Sequence, residues 1–502
     1  MKKIAIVGGG ACGVATFVDL VIKICANQLQ AKTEIIWFEK DKRIGYGVAF
    51  GSDQKGHILN TQADLMGIFA EEPAHFSDWL KESGEIKNDE VLGDKAETSY
   101  TSRRFYGDYM ALQAEKFLEK AKACGLKVKV VCEEVVNITV NHDTYHIKTK
   151  EGNTFNSNLT VLGIGVPKPN NYDEFLQHPN YIDFPWPSEP ILEKISEAKD
   201  VGILGCSLSA IDTVVTLVDN GYDKKIRLFS PDGLLPRVQP LENKPYNRTH
   251  LTLPNVHKLQ RNSIHRLFVK DVFRLFQKDV EESVGKKLDW KAMNREGKDQ
   301  LKLLKEDIEA AENGGDDLMN MTYCLRYDAS EIWSEMEADE KIKFMKWFGP
   351  HWGITRHAMP LQNAYKLRDL LESGQLEIIS CMDRVTSDDE SQKFKVKQVN
   401  GEVLDVDLLI NATGSPGNLE QMDGELVNCM LKEELILPYP AGGALINKRT
   451  MEAIAPNRGP GLFVTGHLAN GILMDVNAVW FNVKVIGTMT EEILMRLKYD
   501  CS

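Results

Sequence analysis

A glycine pattern near the start of the chain constrains the fold more than any other feature. Residues 3–7 form a short apolar, β-branched run that predicts a buried parallel strand, and apolar residues recur at helical spacing from position 11 onward. Gly8-x-Gly10-x-x-Gly13 lies between the two. Gly8 permits a tight turn, Gly10 lets the backbone approach a pyrophosphate, and Gly13 lets helix and strand pack closely. We expect the helix N-terminus to bind the phosphates of a dinucleotide.

The next predicted strand, residues 33–38, ends at an acidic residue, Glu39. A carboxylate at this place suits an adenosine ribose with free hydroxyls. FAD and NAD both carry such a ribose, so this residue alone leaves the choice between them open.

A second βαβ unit is predicted from about residue 200. Gly205-x-Ser207-x-x-Ala210 follows an apolar run and precedes an amphipathic helix. Serine and alanine are small enough to keep the fingerprint geometry, so the segment predicts either a second pyrophosphate site or a turn that only packs.

The nicotinamide that this unit would bind is left open by the residues that follow. Ser230 and Arg237 suit a 2′-phosphate, whereas Asp232 would repel one. NADH and NADPH both remain candidates.

Two later strand ends carry small residues. The predicted strand 406–410 runs into Thr413 and Gly414, a turn that lets the backbone approach a cofactor. The last predicted strand, 462–464, leads to Gly466 and a polar turn containing Gly471 and Asp475. In FAD folds of this kind that turn meets the ribityl chain and the isoalloxazine ring.

Between residues 264 and 346 the pattern becomes helical. Apolar stripes, one of them starting at Ile264 and Phe268, face dense Lys and Glu, which predicts a helical insertion. Residues 128–138 and 145–149 alternate and predict a β-meander. The domain assignment is 1–190 and 408–502 for an FAD-binding domain, 191–255 and 371–407 for an NAD(P)H-binding domain, and 256–370 for the helical insertion and substrate region.

Composition and cysteine spacing narrow the class of protein. A net charge of −13 argues against a nucleic-acid-coating surface, and the sequence contains no apolar run long enough for a membrane span. The nine cysteines include no C-x-x-C pair, and no metal-ligand spacing is found. We therefore expect reduced thiols, a cytoplasmic protein, no metal and no nucleic-acid partner.

Several further segments resemble one family of FAD/NAD(P)-binding proteins. It contains FAD-dependent urate hydroxylase and aspartate N-monooxygenase, and it is more distantly similar to lysine and ornithine N-monooxygenases. The resemblance extends from Met1 to about Ile486, although Gly163-Ile164-Gly165 stands where such proteins often have Ala-Thr-Gly. The segments that carry it are 39–50, His57-Ile58-Leu59-Asn60, Met66-Gly67, Arg103 to Tyr109, Gly233 to Arg237, and Arg356-His357-x-x-Pro360.

The resemblance implies a fold class and a set of cofactors. The fold is α/β, a flavoprotein with two Rossmann-like dinucleotide-binding domains for FAD and NAD(P)H, plus the helical insertion. FAD is the cofactor, with NADH or NADPH as co-substrate.

The resemblance also implies a reaction. The function is an oxidoreductase, a monooxygenase that hydroxylates a small polar metabolite on nitrogen or carbon through a C4a-(hydro)peroxyflavin, using O₂. A flavin-dependent NAD(P)H dehydrogenase without oxygen insertion and a non-catalytic flavoprotein scaffold are the alternatives. Substrate identity and oligomeric state stay open.

The family segments also contain the remaining candidate site residues. We expect His57 and Asn60 near the flavin ring, with a capping histidine and a turn asparagine as the alternatives. Arg43, Gly45 and Arg104 are assigned to cofactor binding, and surface ion pairs are the alternative for the arginine at 104. The candidates for the substrate cavity are Arg356 and His357.

Overall fold

The structure is a computed structural model that describes residues 1–84, 100–264, 266–291, 293–388 and 390–499. The chain forms two compact units. The first comprises Met1–Asp53, Thr61–Pro169 and the described residues from Ser415, and the second comprises Gln54–Asn60 and Asn170–Gly414.

The first unit is built on a parallel sheet. Its strands are β1 (Lys2–Val7), β2 (Thr33–Phe38), β3 (Lys127–Val131), β4 (Val135–Asn141), β5 (Thr144–Thr149), β6 (Thr154–Ser157), β7 (Leu159–Leu162), β8 (Lys168–Pro169), β19 (Met422–Asp423) and β20 (Leu462–Val464). The order β20-β7-β1-β2-β3 is parallel throughout, and β4, β5 and β6 form a separate antiparallel sheet.

Helices cover the first sheet. They are α1 (Ala11–Ala26), α2 (Gly47–Phe50), α3 (His75–Ser83), α4 (Arg103–Cys124), α15 (Glu425–Lys432) and α16 (Val479–Tyr499), with 3₁₀ turns at Gln30–Lys32, Ala63–Leu65, Leu419–Gln421 and Gly466–Ala469. Apolar residues of β1 and α1, such as Ile4, Ile6, Val14 and Phe17, have no exposed surface.

The second unit repeats this plan. Its strands are β9 (Tyr181–Ile182), β10 (Asp200–Leu204), β11 (Lys225–Phe229), β12 (Val238–Gln239), β13 (Met359–Pro360), β14 (Leu376–Ile379), β15 (Met382–Asp388), β16 (Lys393–Gln398), β17 (Val403–Val406) and β18 (Leu408–Asn411). The order β14-β11-β10-β18-β9 is again parallel throughout, and β15, β16 and β17 form an antiparallel sheet. Four strands of each sheet therefore have the Rossmann order 3-2-1-4, with a three-stranded antiparallel sheet inserted before the fourth strand. The fifth strand differs, because β20 follows the other four strands in the chain and β9 precedes them.

The helices of the second unit include the predicted insertion. They are α5 (Glu189–Lys194), α6 (Leu208–Asp219), α7 (Leu253–Asn262), α8 (Val269–Val284), α9 (Gln300–Glu312), α10 (Asp317–Leu325), α11 (Ala329–Ser334), α12 (Ala338–Trp347), α13 (Gly349–Arg356) and α14 (Leu361–Glu372), with a 3₁₀ turn at Asp173–Phe175. The helical insertion lies in the crossover between β11 and β14. Leu304 and Ile308 of α9 and Leu367 of α14 join the core of the second sheet, so part of the insertion is integral to that unit.

Three expectations from the sequence need correction. Residues 128–138 span two elements, because β3 joins the parallel sheet and only β4 belongs to the meander. Ile264 does not face the core: it is 90% exposed and has a φ of 58°, so the buried stripe begins later. The strand predicted over 406–410 is two strands, β17 and β18, in different sheets.

The compact units can be set beside the predicted domains, which stay a prediction. The N-terminal part of the first unit extends to Pro169, and β9 pairs with β18 in the second sheet. Leu408–Asn411 likewise belongs to the second unit, since β18 pairs with β10.

One pair of cysteines corrects the expectation of reduced thiols. Cys25 lies in the last turn of α1 and Cys124 is the last residue of α4, and the two are joined as a disulfide with a Cα–Cα distance of 6.5 Å. Spacing along the sequence does not reveal this pair, because helix packing brings together residues 99 positions apart. Cys501 lies outside the described residues.

Over the described ranges, no helix combines the length and the apolar character that a membrane span requires.

Candidate functional site: two dinucleotide turns

The first turn has the backbone of a phosphate-binding loop. Gly8 has a φ of +109°, a conformation that favours glycine, and its N–H donates to the Phe38 carbonyl at 2.9 Å. Gly10 is the N-cap of α1 and is extended, without any side-chain cap or acidic residue in the first turn. The N–H groups at this helix end therefore face no competing protein carboxylate within the helix itself, as an anion site requires.

Close packing requires the third glycine. A Cβ at Gly13 would lie 1.9 Å from the Gly8 carbonyl oxygen, and one at Gly8 would lie 2.2 Å from the Gly163 oxygen. The sequence pattern predicts that Gly13 allows helix and strand to pack closely. These short distances show why a side chain does not fit there.

Glu39 braces the turn from the end of β2. Its Oε2 accepts a hydrogen bond from the Gly9 N–H at 2.5 Å, and its Oε1 accepts one from the Asp41 N–H at 2.9 Å. Burial raises the pKa of this carboxyl, and the two backbone donors oppose that rise. The residue is 7% exposed, so its carboxylate is oriented before any ribose arrives.

Residues 43–53 contact the first turn. The Gly45 N–H donates to the Gly9 carbonyl at 2.7 Å, and a Cβ at Gly47 would lie 3.3 Å from the Gly10 Cα. Gly45 has a φ of +103°, and a Cβ there would lie 2.5 Å from the Ala111 nitrogen of α4. This glycine is thus required for packing against α4.

The two arginines assigned to the cofactor share one aromatic ring. The guanidinium carbons of Arg43 and Arg104 lie 4.9 and 5.0 Å from the centre of the Tyr46 ring. Arg104 also pairs with Asp108, with Nε 3.1 Å from Oδ1, and with Asp53. Its charge is therefore balanced within the first unit, and its contact with phosphate stays a prediction.

Gly466 meets the start of α1 on the far side of the turn. It follows β20, has a φ of +68°, and a Cβ there would lie 3.2 Å from the Cys12 sulfur. Burial raises the pKa of the Cys12 thiol to about 11, although the Thr465 hydroxyl beside it opposes the rise. This thiol is protonated at neutral pH and is not a nucleophile.

Tyr106 lies in the segment from Arg103 to Tyr109, but the sequence pattern predicted no role for it. Its side chain has no exposed surface, and its hydroxyl has no hydrogen-bond partner among the residues described. Burial, then the neighbouring Tyr109 and Cys12, raise the pKa of this phenol. A buried unsatisfied donor costs about 1–3 kcal/mol, and a bound cofactor would supply an acceptor. Only the three-dimensional structure places Tyr106 near Cys12.

Gly471 and Asp475 lie in the same C-terminal turn region. A Cβ at Gly471 would lie 2.3 Å from the Gly442 carbonyl oxygen, so close backbone packing is enough to explain this glycine. Asp475 is buried, and its carbonyl accepts from the Ala478 N–H at 2.9 Å. Nearby His467 has Nε2 2.9 Å from the Pro416 oxygen and Nδ1 3.2 Å from the Asn477 Oδ1.

The second turn repeats the first one closely. Gly205 has a φ of +114° and donates to the Phe229 carbonyl at 2.7 Å, and Ser207 is an extended N-cap whose side chain makes no cap hydrogen bond. Ala210 occupies the third position and is fully buried. Burial raises the pKa of the adjoining Cys206 thiol to about 12.

Side chains hold the strand end beside the second turn. The Thr413 hydroxyl donates to the Asn411 Oδ1 at 2.7 Å and accepts from the Asn171 amide at 3.1 Å. Gly414 has a φ of +81°. A Cβ at Gly205 would lie 2.6 Å from the Ala412 oxygen, so this strand end packs directly on the second glycine turn.

The residues considered for nicotinamide preference have partners of their own. Ser230 Oγ donates to the Asp232 Oδ1 at 3.0 Å. The Asp232 Oδ1 also accepts from the Leu234 N–H at 3.1 Å. Arg237 is buried, with Nη2 3.0 Å from the Asp307 carboxylate and 2.5 Å from that of Asp316. Its charge is neutralised by these carboxylates.

His57 and Asn60 lie in the second unit. His57 is 1% exposed, and its Nε2 is 3.0 Å from the Asp212 carbonyl and 2.8 Å from the Thr216 hydroxyl of α6. Asn60 is half-buried. The structure therefore joins this histidine to α6, and its contact with a flavin ring stays a prediction.

Arg356 and His357 end α13. Although His357 as a residue is exposed, desolvation of its ring and then the adjacent Arg356 charge lower its pKa to about 4. The imidazole is thus neutral at pH 7. Whether the pair contacts substrate stays a prediction.

The residues of the first turn fit a dinucleotide. They combine an uncapped helix N-terminus, a pre-oriented buried carboxylate and a buried hydroxyl without a partner. The second turn offers a similar helix N-terminus with an exposed serine. Among the described residues, no group of His, Cys, Asp and Glu is arranged to hold a metal ion.

One family model matches the part of the chain that contains the first turn. Residues 5–167 match the family model described as FAD-NAD(P)-binding. This part of the chain is an FAD/NAD(P)-binding domain, which confirms the resemblance at the level of that domain.

One curated relative aligns with half of the chain. It is the uncharacterized protein YdhS of Escherichia coli strain K12, which is 25% identical over 281 residues. The alignment spans 50% of this chain and about half (49%) of the relative.

Solved structures of similar fold cover nearly the whole chain. The reduced form of ornithine hydroxylase PvdA from Pseudomonas aeruginosa has a TM-score of 0.60 at 12% identity, over 99% of both chains. Ornithine N-hydroxylase KtzI from Kutzneria sp. 744, in a structure with reduced FAD, NADP⁺ and L-ornithine, has 0.58 at 15%, also over 99% of both. L-lysine 6-monooxygenase from Pseudomonas syringae has 0.53 at 14%, over 100% of both. At such identities the likeness shows the fold, and it confirms the expected α/β class.

Proposed function

We propose that this protein is an FAD-dependent, NAD(P)H-consuming monooxygenase that hydroxylates a small polar metabolite on nitrogen or carbon. The observation that carries the proposal is the duplicated turn: Gly8 and Gly205 have φ angles of +109° and +114° and equivalent backbone hydrogen bonds. We assign the first turn to a flavin dinucleotide and the second to a nicotinamide dinucleotide, because each has the backbone of a pyrophosphate-binding turn. The likeness in fold to ornithine and lysine monooxygenases supports the same class.

Backbone N–H groups and side chains of the first unit would hold FAD. The N–H groups at the start of α1 would bind its diphosphate, and Glu39 would accept hydrogen bonds from its ribose. The Tyr106 hydroxyl would donate to an acceptor on the cofactor. When bound, the flavin supplies hydride acceptance and oxygen activation.

Side chains of the second unit would hold NAD(P)H. The N-terminus of α6, with the exposed Ser207 hydroxyl, would bind its diphosphate, and Thr413 and Gly414 would form an adjoining wall. In the balanced reaction, NAD(P)H, O₂, a proton and the substrate R–H give NAD(P)⁺, R–OH and water.

The thiols at the two turns favour this class over a thiol-dependent reductase. Cys12 and Cys206 are buried, and their pKa values are raised to about 11 and about 12. The disulfide of Cys25 lies about 22 Å along α1 from Gly10, at 1.5 Å per residue. The cysteine at the first turn is therefore not the dithiol that such a reductase would need there.

The test begins with the absorption spectrum of the purified protein and with anaerobic addition of NADH or NADPH. A bound flavin that either nicotinamide bleaches, and hydroxylated product formed with one of a set of amino acids, polyamines and purines, would support the proposal. Colourless protein that also fails to bind added FAD would overturn it. Rapid reduction that yields only H₂O₂ or reduced artificial acceptor with every compound would favour the dehydrogenase instead.

The variant Gly205→Val separates the two nucleotide roles. A side chain there would approach within 2.6 Å of the Ala412 oxygen, so NAD(P)H should no longer reduce the flavin while dithionite still does. Loss of the flavin itself would contradict the assignment of this turn to the nicotinamide.

A further inference from the structure

The first unit contains a cavity of about 610 Å³ at the end of α1 that lies away from its glycine turn. Its apolar lining includes Val21 of α1, Phe117 of α4 and Phe69, together with Ile22 and the Cys25–Cys124 disulfide. Val21 is about 16 Å along the helix axis from Gly10, at 1.5 Å per residue. The volume is within the range of small-molecule sites, and the proposed reaction does not use it.

A buried amide without a partner lines this cavity. Gln113 is 2% exposed, and its Nε2 has no hydrogen-bond acceptor in the part of the chain that the structure describes. Leaving such a donor unsatisfied costs about 1–3 kcal/mol. A ligand that brings an acceptor into the cavity would recover this free energy.

His75 is a second polar group of the lining. The Ile68 N–H donates to the Tyr109 hydroxyl at 3.1 Å, and that hydroxyl lies 2.7 Å from the His75 Nδ1. With the hydroxyl donating to Nδ1, the proton of the neutral imidazole is on Nε2 and is available to a ligand. Burial lowers the pKa of His75, which favours the neutral ring.

The mouth of the cavity is cationic in a protein whose net charge is −13. Lys116 and Lys120 both line it, are exposed, and form no ion pair with any described residue. Lys120 Nζ lies 4.2 Å from the centre of the Phe117 ring, at the boundary between charge and apolar lining. Glu72 is the one acidic residue of the lining, so the lysines leave the mouth with a net positive charge.

We propose that this cavity binds a small organic anion, a carboxylate attached to an apolar aryl or alkyl body. The apolar body would lie against Val21, Phe69 and Phe117. The carboxylate would accept from the Gln113 amide and the His75 Nε2–H and would face the two lysines. This ligand site is separate from both dinucleotide turns and is independent of the reaction proposed above.

Isothermal titration of the purified full chain, with any bound flavin retained, tests the site. The probes are 4-phenylbutyrate, its neutral amide 4-phenylbutanamide and the cation 4-phenylbutylamine. We expect saturable binding of the carboxylate and about tenfold weaker binding of the amide, as for loss of one charge-assisted hydrogen bond. The amine should bind weakest.

Variants locate the binding. Gln113→Leu removes the buried donor and should weaken 4-phenylbutyrate binding about tenfold without lowering thermal stability, because an unsatisfied group is lost. Lys116→Gln and Lys120→Gln should each weaken it about threefold. The matched control is Lys122→Gln, the same charge change at an exposed position of α4 outside the cavity, which should leave the affinity unchanged.

Absence of saturable binding of 4-phenylbutyrate would overturn the proposal. Equal affinity for the three probes, or equal weakening by Lys122→Gln and Lys116→Gln, would also overturn it, because binding would then not depend on an anion at this cavity.

Discussion

The two units share a strand–turn–helix–strand opening, yet they hold their glycine turns by different means. In the first unit, backbone atoms pack directly against one another around the turn. The third position of the fingerprint must be Gly13, and the residue at the neighbouring strand end is Gly163. In the second unit, Ala210 fills the third position, and side chains of Asn411 and Thr413 brace the neighbouring strand end. Glu39 follows the second strand of the first unit, and Ser230 occupies the equivalent place in the second unit. Each of these residues donates its backbone N–H to a carbonyl of the neighbouring strand, β3 or β14.

This comparison shows what the fold demands of a dinucleotide turn and what it leaves variable. The positive φ of the first glycine and the extended N-cap are kept in both units. The third position is glycine in the first unit, where a Cβ would collide, and a buried alanine in the second. The carboxylate directly after the second strand is found in the first unit, and Ser230 stands there in the second.

The largest effect is expected for Gly13→Ala, compared with Ala210→Gly. The new Cβ would lie 1.9 Å from the Gly8 oxygen, so the turn must open, at a cost of about 3 kcal/mol or more. Ala210→Gly should cost only about 1 kcal/mol, the difference in helix propensity. Urea unfolding and flavin content measure both. Equal costs would show that the two turns are equally tight.

The next largest effect is expected for His57→Ala. Loss of its bonds to the Asp212 carbonyl and the Thr216 hydroxyl, together with its buried volume, should lower the free energy of unfolding by about 2–3 kcal/mol. The flavin spectrum and its rate of reduction should be unchanged if the role is confined to α6. A changed rate with unchanged stability would support the flavin contact predicted from the sequence.

Glu39→Gln tests the carboxylate that distinguishes the first turn. Loss of a charged acceptor should weaken FAD binding about tenfold, measured by flavin fluorescence on titration of protein freed of cofactor. Ser230→Ala, at the equivalent place, should leave FAD affinity unaltered. Comparable weakening by both would remove the distinction between the turns.

The same variant gives a pH dependence. Burial raises the pKa of Glu39 in the fold above its usual value of 4.5, so the folded state binds a proton that the unfolded state has already released. The cofactor-free protein should therefore lose stability relative to Glu39→Gln as pH rises from about 4.5 through the raised pKa. Denaturant unfolding from pH 4 to 8 measures this difference. A gain of stability with rising pH would contradict the cause assigned to the shift.

The smallest effect is expected for Thr413→Val. The variant keeps the side-chain shape and removes hydrogen bonds of 2.7 and 3.1 Å, which should raise the KM for NAD(P)H by about threefold to tenfold. Flavin content should not change. If the flavin content fell instead, this strand end would serve the first dinucleotide rather than the second.

Local signals in the sequence were sufficient for both βαβ openings. Apolar runs of the right length and the two glycine fingerprints predicted β1, α1, β2, β10, α6 and β11, because burial and turn geometry there depend on neighbouring residues. The duplication of the antiparallel sheets was not visible, since residues 135–157 and 382–406 share a pattern of pairing rather than of side chains.

The amino-acid sequence alone predicted two glycine turns, each between a strand and a helix, since glycine is required wherever φ is positive or a Cβ would collide. Only the tertiary structure decided which side chains serve those turns and which serve packing. In the folded chain, His57 forms a hydrogen bond with α6 and Arg237 forms an ion pair with Asp307. Tyr106 lies near Cys12, and Cys25 forms a disulfide with Cys124. Such pairings depend on how helices and strands that are distant in sequence pack together, so the spacing of residues along the chain does not predict them.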